Sequence, residues 1–297
     1  MFGKNSVINM KIGIVSINKK RTIAVKADSG IVPLEVFLDM LKIDSPGSVL
    51  LDDETVSEIN AILQKKELYK DFIIEEDSVN YYPPIEKPGK IIGIGINYRK
   101  HAAETGMAIP KEPILFSKFN NAIAANGQEI RIPNVTKELD YEGELAIVIG
   151  KSARNVEKDE AFAYVFGYTI ANDVTARDLQ FMTGQWLLGK TLDGFAPIGP
   201  YITTRSDIPN PNNLTIKTYV NGEIRQDSNT SDMIFKCDEL ISYISNFFTL
   251  EPGDIILTGT PSGVIYGMPK DKQVWLKHND EVRIEIENIG TLANKFQ

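Results

Sequence analysis

"LDYEGELAIVIG", Leu139 to Gly150, reads as an apolar β-strand that carries two glutamates. Glu142 and Glu144 stand two residues apart, so on a strand both side chains leave one face while Leu145, Ile147 and Ile149 point to the other. Ala146 and Val148 continue the glutamate face, which therefore runs into apolar packing. Two anions side by side repel each other, and a cation between them relieves the repulsion. Asp173, at the end of the strand "FGYTIAND", adds a third carboxylate. Three oxygen donors with no cysteine or partnering histidine nearby suit a hard ion, magnesium or manganese, with calcium fitting less well. The same alternation also describes the solvent face of an edge strand, on which Asp140 is either a supporting group or simply exposed. Spacing leaves both readings open.

Around this strand the chain is rich in β-structure. "KIIGIGINY", "VFGYTIANDV", "GDIILTGT" and "DEVRIEIENIG" read as strands, and "TIKTYVNGEIRQDS" as a hairpin whose Asn221-Gly222 pair suits a type I′ turn. "DELISYISNFF" reads as a helix with Leu240, Ile241, Ile244 and Phe248 on one face. Upstream, "KIGIVSI" and "RTIAVKA" form a strand pair. "VPLEVFLDML" is a helix with Pro33 near its start and Val36, Phe37 and Met40 on one stripe. "DDETVSEINAIL" follows with cap-forming aspartates and Val56, Ile59 and Leu63 at helical spacing. Pro83, Pro84, Pro88 and Gly89 in "NYYPPIEKPGK" suit a linker. The division is a small N-terminal α+β domain, residues 1–84, and a second domain, residues 85–297. Without internal repeats or regular strand-helix alternation, the class is α+β with β dominant.

"GQWLLGKT", Gly184 to Thr191, satisfies the P-loop pattern, but its surroundings cannot do that physics. A phosphate cradle needs a buried strand before it and a small, glycine-rich interior. Here the interior is Gln-Trp-Leu-Leu and the preceding "ARDLQFMT" is polar and helix-like, so no nucleotide is expected and Lys190 needs another explanation. Of the two histidines, His278 lies in a polar turn. His101, in "NYRKHAAETG", stands three residues before Glu104, so a helical turn puts both on one face, either as a base oriented by a carboxylate or as an ordinary ion pair. Arg177 and Gln180 have the same spacing just after Asp173. "LTGTPSG" offers Thr258, Thr260 and glycines whose backbone donors could approach an anion, or an ordinary strand-to-turn junction.

Bulk properties narrow the partners. The 297 residues are 42% hydrophobic, enough for substantial cores, and carry a net charge of −8 without a basic face, which argues against nucleic acid. No window reaches the roughly 18 apolar residues of a membrane span, and the N-terminal stretch has no apolar signal core, so a cytoplasmic location is expected. The single cysteine, Cys237, read as a helix-start residue, excludes an internal disulfide or a cysteine-based zinc site.

Taken together, "GINYRKHAAE", "LDYEGELAIVIGK", "FGYTIANDVTARDLQ", "GKTLDGFAPIGP", "VNGEIRQDSNTSDMIF" and "LEPGDIILTGTPSGV" resemble the fumarylacetoacetate hydrolase superfamily in family order, over roughly residues 85 to 297. The N-terminal unit resembles the smaller, variable domain often attached. The resemblance implies a catalytic β-sandwich roll that holds magnesium or manganese through Glu142, Glu144 and Asp173. It implies a His101–Glu104 dyad on a lid segment and Lys190 aimed at a substrate oxygen. Arg177, Gln180 and Thr260 would surround the substrate, in a homodimer. One departure is Asn97, which stands near the place of an extra aspartate ligand in the longer founding hydrolase. The implied activity is metal-dependent chemistry on a 2-oxo acid through an enolate, foremost hydrolysis of a C–C bond in an acylpyruvate. Decarboxylation of an oxaloacetate-type acid and isomerisation of a 2-hydroxy-diene-dioate are the alternatives. A non-catalytic metal-binding protein is the alternative from another class.

Overall fold

The computed structural model describes residues 9–297, so the first residues of the N-terminal stretch read above for a signal core lie outside it. β1 (Lys11–Ile17) and β2 (Lys20–Ala27) pair antiparallel across Asn18 and Lys19, whose φ of 50° and 64° is the left-handed geometry a two-residue hairpin requires. β3 (Gly30–Pro33) leads into α1 (Leu34–Leu41), with Pro33 at the cap position. Its buried stripe is Leu34, Phe37 and Leu38, and Met40 is exposed. Of the sequence stripe Val36, Phe37 and Met40, Phe37 is buried and Val36 packs half-buried against the core, while Met40 is not on the face, because a stripe of Leu34, Phe37, Leu38 and Leu41 satisfies helical periodicity equally well. α2 (Asp53–Leu63) begins where Asp52 accepts the Thr55 N–H at 2.7 Å, and it buries Val56, Ile59 and Leu63 as expected. β4 (Asn80–Tyr82) closes this unit against β1.

Beyond the prolines come β5 (Ile91–Gly95), α3 (Arg99–Thr105), β6 (Ile114–Lys118), β7 (Ile123–Ala124), β8 (Leu139–Asp140), β9 (Gly143–Ile149), β10 (Val165–Asn172) and β11 (Thr175–Ala176). Two single-turn helices follow, α4 (Arg177–Gln180) and α5 (Leu187–Lys190), then β12 (Ala196–Thr204) and the hairpin of β13 (Thr215–Val220) with β14 (Glu223–Asn229). Asn221 and Gly222 have φ of 52° and 83°, as a type I′ turn demands. α6 (Cys237–Ser245) buries Leu240, Ile241 and Ile244, each worth about 2 kcal/mol of apolar burial. Phe248 leaves that face, because the helix ends three residues before it. β15 (Ile255–Leu257), β16 (Glu281–Ile286) and β17 (Gly290–Lys295) complete the chain.

Eleven of the strands form one sheet in the order β3-β2-β1-β12-β10-β9-β15-β5-β6, with β4 on β1 and β7 on β12, and β8 pairs with β11 separately. A four-stranded antiparallel sheet, β14-β13-β16-β17, faces it. Leu145, Ile147 and Ile149 of β9 meet Ile216, Ile284 and Leu292 of the smaller sheet and Leu240 and Ile244 of α6 in the main core. The product is a β-dominated α+β roll. β1 pairs with β12, Ile12 opposite Ile202, so the N-terminal strands extend the large sheet, and Val148, Phe166 and Ile202 pack into the core around Phe37 and Ile59. Among the described residues no helix is long and apolar enough to cross a membrane.

Candidate functional site

β9 and β10 run antiparallel with Glu144 opposite Ala171 and Gly143 opposite Asn172, which sets Glu142 beside Asp173 one step along. The Asp173 N–H donates to the Glu142 carbonyl at 2.9 Å, and the Asn172 side-chain oxygen accepts the Glu142 N–H at 3.0 Å. One carboxylate oxygen from each of Glu142, Glu144 and Asp173 lies within 4.8 Å of the others. All three residues are buried, at most 5% exposed. That excludes the edge-strand reading: β9 lies between β10 and β15, so neither edge is free, and every residue of it is buried, so both faces are covered.

Three cations surround the trio. Lys190 Nζ, brought in by α5, lies 2.7 Å from Glu142 Oε2 and 2.6 Å from Asp173 Oδ2. Arg177 Nη2, from α4, lies 2.6 Å from Glu142 Oε1, and its Nε donates to Asp140 Oδ2 at 2.9 Å. Lys118, at the end of β6, donates to Asp173 and to the Val174 carbonyl. Burial alone would raise the Glu142 carboxyl, but the charges of Lys190 and Arg177 outweigh it and hold the group well below the usual range. Glu144 moves the other way: burial, then the neighbouring charges of Asp173 and Glu142, push it well above the usual range. Its one hydrogen bond among the described residues is from the Gly259 N–H, at 2.7 Å. A buried carboxyl without its own cation, beside two more all-oxygen donors, fits a divalent ion.

α3 carries the histidine. His101 Nδ1 lies 2.9 Å from Glu104 Oε1, and the Glu104 carboxylate also accepts the Gly263 N–H, at 3.1 and 2.9 Å. His101 is 7% exposed and shares a cavity with Glu142 and Glu144. Arg177, Gln180, Lys190 and Thr260 line the same cavity. Arg177 Nη1 donates to Gln180 Oε1 at 3.0 Å, while the Thr260 hydroxyl donates to the Gly143 carbonyl and accepts from Gln226. Thr258 turns away, donating to the Leu145 carbonyl at 2.9 Å, so the backbone donors of "LTGTPSG" meet the protein's own carboxylates at Gly259 and Gly263.

Two sequence questions are settled by contacts. Asp140 is fully buried and accepts the N–H groups of Tyr141, Ile265 and Tyr266 besides Arg177, so it anchors the arginine. The Asn97 amide donates to the Phe235 and Thr258 carbonyls and accepts the Phe235 N–H, which commits it to backbone groups. In "GQWLLGKT" the glycine serves packing: a Cβ on Gly189 would come within 2.5 Å of Gln180 N and 2.6 Å of Ala176 O, so its absence lets α5 lie against α4. Sequence reasoning missed Lys118. Its signal was the alternation in "ILFSK", which puts Ile114, Phe116 and Lys118 on one face of β6.

A β-dominated roll that gathers three buried carboxylates, a lysine and a histidine-glutamate pair at one cavity is built as an enzyme. The chain is a member of the fumarylacetoacetate hydrolase family: the model described as fumarylacetoacetate (FAA) hydrolase C-terminal matches residues 90–297. Among its relatives, "Oxaloacetate tautomerase Fahd2a, mitochondrial" of Rattus norvegicus is 47% identical over 75% of this chain and 71% of its own length. A fumarylacetoacetate hydrolase domain-containing protein 2 homolog of Dictyostelium discoideum is 52% identical over 72% and 73%. Among solved structures, the fumarylacetoacetate hydrolase of Exiguobacterium antarcticum aligns at a TM-score of 0.78 and 32% identity, covering 97% of this chain and 99% of that one. The 5-carboxymethyl-2-hydroxymuconate delta-isomerase of Mycobacterium smegmatis aligns at 0.74 and 32%, covering 97% and 98%.

Proposed function

We propose that the protein catalyses keto–enol tautomerisation of a small 2-oxo diacid of the oxaloacetate type, with magnesium or manganese held by Glu142, Glu144 and Asp173. The observation that carries this reading is a single base, His101 held by Glu104, in a narrow cavity that Phe116 and Trp186 also line. Moving one proton needs one base. Hydrolysis of an acylpyruvate, the foremost expectation from the sequence, needs space for a water and a departing acyl group as well. The oxaloacetate tautomerase name of the rat relative supports the same choice.

Glu104 accepts the His101 Nδ1–H and so leaves Nε2 as the base. In the keto-to-enol direction the C3 proton goes to His101 Nε2, and the C3–H electron pair becomes the C2=C3 double bond. The 2-oxo oxygen takes up the charge, which the Lys190 ammonium stabilises, and the proton held on His101 then completes the enol hydroxyl and restores the base. Arg177, fixed by Asp140, and Gln180 orient a substrate carboxylate, with Thr260 closing the opposite side. A divalent ion at the three carboxylates supplies Lewis acidity toward the 2-oxo group. The same reading takes residues 85–297 as the catalytic domain and residues 1–84 as the small domain, in a cytoplasmic homodimer.

The test is to follow the loss of enol absorbance of oxaloacetate with magnesium or manganese, alongside carbon dioxide release and acylpyruvate cleavage. The expected result is acceleration over buffer without matching carbon dioxide. Faster cleavage of an acylpyruvate than tautomerisation would overturn the reading in favour of hydrolysis, and a bound ion with no turnover would favour the non-catalytic alternative.

A further inference from the structure

The glycines of "IIGIGINY" have no part in this chemistry, yet each lies under an aromatic ring. Gly93 stands opposite Phe116 across the β5–β6 ladder, and a Cβ on Gly93 would overlap the Phe116 ring. A Cβ on Gly95 would overlap the Trp186 ring in the same way. Two bare positions on β5 are thus the seats of two rings, a cross-strand arrangement that any side chain there would forbid. The rings pack on each other with centroids 5.8 Å apart and planes inclined by 60°, and the Lys190 ammonium lies 4.9 Å from the Phe116 centroid. Both rings line the catalytic cavity on one side. On the other they line a second cleft of about 660 Å³, whose walls include Leu115, Leu187 and Phe248.

We propose that Phe116 and Trp186 form a partition across one elongated groove, and that Trp186 determines specificity by limiting the substituent on the 2-oxo acid. The inference rests on the reading that a 2-oxo acid lies beside Lys190. Both rings are partly buried, but Phe116 is fixed within β6 whereas Trp186 stands outside the strands, just before α5, so it is the removable member. Without the indole, the small cavity joins the outer cleft, whose walls suit an apolar acyl or aryl tail.

Calorimetry in magnesium with oxamate, N-butyloxamate and N-hexyloxamate tests this without turnover, since all three present the same oxo-carboxylate and differ only in tail length. In the wild type, affinity falls with length, N-hexyloxamate binding at least about tenfold more weakly than oxamate. In Trp186→Ala the order reverses, with a gain of about fourfold per methylene seated in the cleft. Trp186→Leu gives the same reversal in smaller measure and serves if the alanine variant does not fold. Equal wild-type affinity for the short and long compounds, or an unchanged length profile in a folded Trp186 variant, overturns the partition. Failure of both proteins to bind oxamate overturns it too, by removing the pose. Length-selective binding without tautomerase activity overturns the proposed function alone.

Discussion

The carboxylate of Glu104 accepts the backbone N–H of Gly263 through both oxygens, at 3.1 and 2.9 Å, while Oε1 also lies 2.9 Å from His101 Nδ1. One side chain therefore fixes the tautomer of the histidine and ties its helix to the turn after β15.

Replacing the base should separate proton transfer from ion binding. His101→Ala is expected to lower turnover by about 10²- to 10⁴-fold, the usual worth of a positioned base, with magnesium affinity changed only a few-fold. Glu104→Gln should fall between this variant and the wild type, because a neutral acceptor still orients the imidazole but loses the charge-assisted hydrogen bond. Steady-state rates and calorimetry on the same preparations check both. A fully active His101→Ala would end the dyad assignment.

Glu142 balances two buried cations, Arg177 and Lys190. Glu142→Gln should abolish ion binding and turnover together. It should also destabilise the fold by about 3–5 kcal/mol in urea melts, because charges are left without their partner. A variant as stable as the wild type would show that the pairs contribute nothing.

Ion uptake should release a proton. Burial and the charges of Asp173 and Glu142 raise Glu144, so without an ion it keeps its proton at pH values where an exposed carboxyl has lost it. A cation needs the anionic form, hence affinity rises with pH until Glu144 is ionised, and falls below that point. Calorimetric enthalpies measured in two buffers of different ionisation heat give the number of protons released. Identical enthalpies in both buffers would contradict the assignment.

Restoring the founding hydrolase's aspartate should not add a ligand. In Asn97→Asp the new carboxylate would face the Thr258 and Phe235 carbonyls to which the amide now donates. A loss of about 3 kcal/mol is expected, with no gain in ion affinity. Tighter magnesium binding in this variant would mean that the loop can turn its side chain toward the trio.

Much of the site was legible because its key relations are local. Strand parity put Glu142 and Glu144 on one face, and helical spacing put His101 beside Glu104, since backbone geometry fixes both. The strands, the type I′ hairpin and the β-dominated class followed from the same short-range periodicities and turn residues.

Strand order across the sheet was decided only in three dimensions. Whether the glutamates faced solvent or protein depended on what other elements lay over that face of β9, where Lys190, Arg177 and His101 come in. Lys118 reaches Asp173 from 55 residues away, and β1 joins the large sheet through β12. Phe116 and Trp186 come to rest on the bare backbone of Gly93 and Gly95. Periodicity tells which way a side chain leaves its own element, but burial, charge balance and cavity size depend on what another element brings against it.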